Sequence, residues 1–241
     1  LERAESFLVD DSKIAVNDDD EIIWAHAYRL LYYSAARNKN RMTDMITEIM
    51  KLQKKSGVWR HEYDNPFVTA TVLHALAEAK EAGAEVPDAP VKRALEALQS
   101  CRNPKGVFSY DFPGRGARIE GAAGRGPICE LALLRWGASK SGDLKNAVTR
   151  SFEHHALLER VRKYDDHADE HGNGGFFFWY DLLARADSIV RLKDKALARK
   201  LSDLVWTLME PDGAWVDSHE LGRPYGTAMA LLTLRRVASD R

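Results

Sequence analysis

A short pattern recurs along this chain, and it limits the possible folds more than any other feature. A helix end is followed by glycine, an apolar residue and an aromatic, then by a polar loop and a helix rich in Ala, Thr and Leu. It reads Gln53-Lys54-Lys55-Ser56-Gly57-Val58-Trp59 ahead of Phe67, and Pro104-Lys105-Gly106-Val107-Phe108 ahead of Ala122. It returns as Met209-Glu210-Pro211-Asp212-Gly213-Ala214-Trp215 ahead of Tyr225, while Gly174-Gly175-Phe176-Phe177-Phe178 opens a comparable helix directly. The glycine suits the left-handed conformation that ends a helix, and the aromatic two places on packs between neighbouring units. With the N-terminal pair this gives five outer–inner helix units averaging about 48 residues in a chain of 241.

Two kinds of helix alternate. One is amphipathic and charged, as in the stretches 41–55, 89–100 and 193–209; the other is apolar nearly all round, as in Phe67-Val68-Thr69-Ala70-Thr71-Val72-Leu73 and Tyr225-Gly226-Thr227-Ala228-Met229-Ala230-Leu231-Leu232. A helix apolar on most faces must be buried on most faces. An inner ring of buried helices inside an outer amphipathic ring satisfies both. The periodicity places helices at about 3–9, 21–37, 41–55, 66–82, 89–101, 122–137, 142–163, 176–192, 194–209 and 225–239, and strand-like alternation is hard to find. Asn65-Pro66 and Arg223-Pro224 start helices; Gly57, Gly106 and Gly213 end them. The expectation is an all-α toroid of five helix pairs forming one domain over residues 1–241.

Composition removes several function classes. Lys plus Arg total 35 against 36 Asp plus Glu, a net charge of −1, which argues against a nucleic-acid binder. Two cysteines, Cys101 and Cys129, make neither a disulfide framework nor a multi-cysteine zinc module. No apolar run approaches the ~18 residues of a membrane span, so a soluble protein is expected. A first residue of Leu1 rather than Met leaves room for a removed leader or upstream segment, and the compartment stays open.

The repeat also carries a resemblance. Gln53-x-x-x-Gly57-x-Trp59 matches the QW repeat of squalene cyclases, and Met209-x-x-Asp212-Gly213-x-Trp215 resembles it with Met in place of Gln. Asp212-Gly213-Ala214-Trp215 followed by Tyr225-Gly226-Thr227-Ala228 is similar to the repeat shared by terpenoid cyclases and protein prenyltransferase β subunits. The resemblance runs from about residue 40 to the end. It implies an α/α toroid, normally of six pairs around a cavity, and five pairs imply an open or incomplete barrel or a pair lost upstream of Leu1. It further implies an isoprenoid substrate. Squalene-type cyclases protonate that substrate with an Asp-x-Asp-Asp motif, whose nearest counterpart is Asn17-Asp18-Asp19-Asp20-Glu21. Asp19 and Asp20 are therefore catalytic candidates, against the alternative that they cap a helix and complement its dipole. Protein prenyltransferases hold zinc with an Asp-x-Cys pair. Cys129 follows Pro127 and Cys101 follows Gln99 at that spacing, so zinc-dependent prenyl transfer is disfavoured.

In such a toroid the outer-to-inner loops emerge at one end, where the inner helices present their N-termini. These loops gather His61-Glu62, Asp165-Asp166-His167 with His171, and His219-Glu220. His61, Asp166, His219 and Glu220 join the catalytic candidates. Three such ligands from facing loops would suit a divalent zinc, manganese or iron ion; surface histidines without a ligand are the alternative. Arg118, Arg125 and Arg223, with Arg115, suit phosphate or carboxylate at the cavity mouth. Tyr110, Phe178, Trp179, Tyr180 and Tyr225 are candidates for an aromatic wall, with Asp181 beside them, and inter-repeat packing is the alternative. Cys129 reads either as a nucleophile whose pKa is lowered by a helix end or as a small core residue.

The leading expectation is a cyclase- or prenyltransferase-like toroid whose cavity takes a small isoprenoid or anionic ligand, without a complete catalytic motif. Two alternatives stand beside it. One is a non-catalytic toroid that binds a ligand or partner. The other is a polysaccharide-active toroid using paired carboxylates such as Asp111 and Asp217.

Overall fold

In the computed structural model the described residues are 2–10, 12, 21–114, 116–163, 177–218 and 221–238. They are all-α: twelve helices, with two two-residue strands as the exception. The chain divides into two compact units, Leu1–Cys101 with Asp111–Arg115, and Arg102–Tyr110 with Gly116–Arg241.

The first unit holds α1 (Glu2–Val9), α2 (Ile22–Ala35), α3 (Lys39–Leu52), α4 (Pro66–Glu81) and α5 (Asp88–Ser100). α3 is amphipathic and turns Met42, Met45, Ile46 and Ile49 inward, the i, i+3, i+4, i+7 stripe of a helix with one wet face. α4 is buried without a break from Pro66 to Ala77 and packs on α2, α3 and α5. Asn65 starts it: its Oδ1 accepts from the Val68 amide at 3.1 Å, and its Nδ2 donates to the carbonyls of Tyr63 at 2.9 Å and His61 at 3.2 Å. Those two donations hold β1 (Arg60–His61) against β2 (Tyr63–Asp64), a small antiparallel pair that the periodicity did not anticipate.

The second unit holds α6 (Ile119–Ala122), α7 (Gly126–Arg135), α8 (Ser141–Glu153), α9 (His155–Val161), α10 (Phe177–Leu192), α11 (Lys195–Thr207) and α12 (Gly222–Ala238). α10 lies at its centre, against α7, α8, α9, α11 and α12. Two helices expected as continuous are broken. In the stretch 122–137 the break falls at 123–125, between α6, which ends at Ala122, and α7, which begins at Gly126; there the Arg125 guanidinium turns back onto the carbonyls of Gly121, Phe108 (3.1 Å) and Ser109 (3.0 Å). The stretch 142–163 breaks at His154, whose φ of −103° and ψ of 11° leave the helical region and let α9 bury His155, Leu158 and Val161. α12 begins at Gly222, three residues before the expected start.

The recurring pattern is the same turn built three times. The amides of Lys54, Asn103 and Glu210 donate to the carbonyls of Val58, Val107 and Ala214 at 2.9, 3.0 and 2.8 Å. Gly57, Gly106 and Gly213 sit in these turns at φ of +92°, +71° and +82°, which glycine alone adopts at little cost. In two copies the aromatic is also fixed identically. The Trp59 indole donates to Ile49 O at 2.7 Å and the Trp215 indole to Val205 O at 2.8 Å. Thr69 and Thr227 each close the loop onto the backbone N–H and C=O of their tryptophan at 3.1–3.2 Å.

The Gln of the first copy has a mechanical reason. Gln53 Nε2 donates to Gly57 O at 2.9 Å and to Pro90 O at 2.8 Å, while its Oε1 accepts from Arg93 at 2.7 Å, tying the turn to the start of α5. Met209, at the same place, is exposed and makes no such tie. Gln53→Met is expected to cost about 1–2 kcal/mol, read from the denaturant midpoint, because it leaves the Pro90 carbonyl and Arg93 without this partner.

Candidate functional site

Of the first unit's candidates, Asp19 and Asp20 lie outside the described residues. His61 is half-buried, with Nδ1 2.9 Å from the carboxylate of Glu21 and its ring edge-on to Trp24 at 6.1 Å. Trp24 in turn stacks on Phe67 at 6.4 Å. His61 thus pairs with Glu21, the N-cap residue of α2, rather than with a gathered ligand set.

In the second unit, Asp166, His219 and Glu220 lie outside the described residues, as do Asp165, His167 and His171; so does Arg115 of the first unit. Arg118 is exposed at the start of α6. Arg125 is buried; besides its three carbonyls it lies 5.5 Å from the centre of the Tyr110 ring. Cys129 is a buried residue in the first turn of α7 and is not part of a disulfide. Arg223 pairs with Asp212 at the surface. Tyr225 is half-buried, and Phe178, Trp179 and Tyr180 are buried. The sequence suggests the arginines for a cavity mouth and the aromatics for a wall beneath it; in this unit most of these side chains are engaged with the chain itself. Among the described residues no group of three or more His, Cys, Asp or Glu is gathered as a metal ion would require.

What the unit does concentrate is buried charge. Asp181 and Arg185, one turn apart on α10, are both 0 % exposed and form an ion pair. His155 Nδ1 lies 3.3 Å from Arg185 Nη2, and its ring sits 5.3 Å from that of Phe178. The Arg162 guanidinium lies 5.2 Å from the Phe178 ring centre and donates to Val216 O at 2.9 Å, which also accepts from the Trp179 indole at 2.8 Å. Burial pushes the Asp181 carboxyl up to about 6, against the pull of Arg185. Burial, then Arg185 and Arg162, push His155 down to about 3, so the imidazole is neutral at physiological pH. Asp217, also 0 % exposed, is raised to about 7 by burial, opposed by the Ser218 amide and Arg162.

Sequence reasoning singled out Asp181 and Asp217 and missed Arg185, His155 and Arg162. The available signal was the i, i+4 spacing of Asp181 and Arg185 in the apolar first half of α10, where a charge has to be paired. A second such group is Glu130 on α7, buried and bound by Arg102 Nε at 2.5 Å and by the Ser139 hydroxyl at 2.6 Å. A cavity beneath α7 and α8, lined by Phe108, Ile119, Ala122, Gly126, Ala147 and Arg150, measures about 10 Å³. That is room for one water, against the several hundred Å³ of a small-molecule pocket. No helix among the described residues is long and apolar enough to cross a membrane.

No family model matches the sequence, and no curated protein does. Solved structures match it by fold. A crystal structure of native alpha-2-macroglobulin from Escherichia coli, spanning domain MG7 to the C-terminus, superposes with a TM-score of 0.54 at 17% identity, covering 90% of this chain and 40% of that one. The native conformation of the E. coli protein seen by electron cryo-microscopy gives a TM-score of 0.51 at 18% identity over 89% of this chain and 16% of that one. The chain thus spans well under half the length of either structure. Neither is a cyclase or a prenyltransferase, so they support the helical architecture that the repeat implied and not its chemistry. The fold is all-α, matches a region of bacterial alpha-2-macroglobulin, and is consistent with an α/α toroid.

Proposed function

We propose that this chain is an alpha-2-macroglobulin-like helical domain that works without catalysis, holding a ligand or partner. The observation that carries the reading is the fold match over 90% of the chain to a region of alpha-2-macroglobulin. The chemistry of the second unit supports it. A catalyst keeps its charged groups free to meet a substrate, and their pKa values tuned to a reacting atom. Here Arg125 is bound to three carbonyls, Arg223 to Asp212, and the Trp179 indole to Val216 O. Cys129 sits in the core rather than in an accessible electropositive setting.

The discriminating experiment is a thermal-shift panel of farnesyl and geranylgeranyl diphosphate, each with and without magnesium or zinc, followed by product analysis. The expected result is no saturable shift and no product. An isoprenoid at 100 times its Kd would add about 2.7 kcal/mol, raising Tm by several degrees. A shift of that kind with turnover overturns the non-catalytic reading in favour of a cyclase- or transferase-like enzyme.

A further inference from the structure

The segment from Trp215 to Ser218 is clamped from three sides. Val216 O receives the Arg162 guanidinium from the end of α9 and the Trp179 indole from α10. On the third side α12 is so close that a Cβ at Gly226 would come 2.7 Å from Trp215 O and 2.9 Å from the Asp217 amide nitrogen. Inside this clamp Asp217 is wholly buried. Its Oδ1 accepts from the Ser218 amide at 2.7 Å, whereas Oδ2 has no hydrogen-bond partner among the described residues.

The charges around it do not neutralise a carboxylate there. Arg162 faces it from α9, but one arm is committed to Val216 O and its charge is shared with Glu210, 3.9 Å away, and with Glu159. Glu210, just before the segment, is held by Lys163 at 2.6 Å. The first charge of α12, Arg223, is paired with Asp212. α10 presents the neutral Trp179. We propose that Asp217 is a pH-operated latch: as a neutral acid it stays inside and the Trp215–Ser218 segment remains clamped, and as a carboxylate it drives that segment to open.

The linkage has a definite sign. Burial raises the closed-state pKa to about 7, while a solvated aspartate titrates near its ordinary value of about 4. The closed form binds more protons, so the latch is fully tight below about pH 4, loosens as pH rises towards 7, and levels off once the closed form is itself ionised. One proton is exchanged, so opening grows up to tenfold per pH unit over that window.

Hydrogen exchange tests this on the intact chain. Protection factors of peptides covering 212–218, corrected for the intrinsic pH dependence of exchange, are expected to fall about fiftyfold from pH 5 to pH 7 and to stay nearly level from pH 7.5 to 8.5. Peptides from α4 are expected to show no such fall. Asp217→Asn, which keeps the Oδ1 acceptor without the charge, is expected to hold the acid-side protection throughout. A wild-type profile flat from pH 5 to 7 overturns the proposal, and so does an equal slope in the variant. If Asp217→Asn does not fold, the wild-type carboxyl carbon of Asp217 decides by NMR: a midpoint near 7 supports the latch, and one near 4 overturns it.

Discussion

Replacing Arg185 by methionine is expected to cost about 3–5 kcal/mol at pH 8, the penalty for leaving a buried carboxylate without its counter-charge. Both partners are 0 % exposed, and Arg185 is the group that binds Asp181 Oδ2. Arg185 also lies 5.1 Å from the Phe152 ring centre and makes the contact with His155, so its loss also removes contacts of α10 with α8 and α9. The loss should depend on pH in a set direction. Asp181 already titrates at about 6 because of burial, and Arg185 pulls that value down; without Arg185 the carboxyl rises further. A raised carboxyl contributes stability that is present at low pH and lost as pH rises through its folded pKa, so the deficit shrinks at pH 5 and is full at pH 8. Urea midpoints at the two pH values read this out. The double variant Asp181→Leu/Arg185→Met is expected to recover most of the loss, since an apolar pair removes the stranded charge. A single variant as stable as the parent at pH 8 would show that the pair is solvated in solution.

The Arg185 case shows where sequence reasoning stops. The turns at Gly57, Gly106 and Gly213 were legible because each is local: a positive φ, a four-residue hydrogen bond and an aromatic two places on are all written within one stretch. The alternation of α3, α5, α8 and α11 with α4, α7, α10 and α12 was legible because burial on one face or on most faces leaves a period in the residues. The break at His154 was not. Nothing in the stretch 142–163 marks it, and it is set by α9 turning His155 onto Phe178 and Arg185. A helix of one piece would have left His155 as an ordinary outer-helix residue, so no local pattern singles it out.

Two of the described candidates are engaged by other segments, for a related reason. Loop sequence tells which polar side chains a turn contains but not whether another segment already claims them. Arg125 looked like an anion binder and is consumed by the carbonyls of Phe108, Ser109 and Gly121, the first two of which lie in the repeat turn itself. Asp217 looked like a general acid in a loop and is instead buried under α12. Burial of a loop residue depends on what crosses over it, and in this unit that is the close approach of a helix glycine.

That approach gives a test in which the usual rule reverses sign. Alanine in place of a helix glycine normally stabilises by about 0.5–1 kcal/mol, through a less flexible unfolded chain. Gly142→Ala on α8 is expected to follow the rule, because a Cβ there meets nothing within 4 Å. Gly226→Ala on α12 is expected to do the opposite and cost about 1–3 kcal/mol or more. Its Cβ would lie 2.7 Å from Trp215 O, 2.9 Å from Asp217 N and 2.9 Å from Val216 C, all of them backbone atoms that no rotamer change can move aside. Something larger must shift: either α12 tilts outward or the segment retreats, and retreat pulls Val216 O from Arg162 and Trp179. Denaturant midpoints of the two alanine variants measured side by side separate these effects from a general response to glycine removal. Equal stabilisation of both would mean that α12 does not press on the segment, and the clamp around Asp217 would lose its third wall.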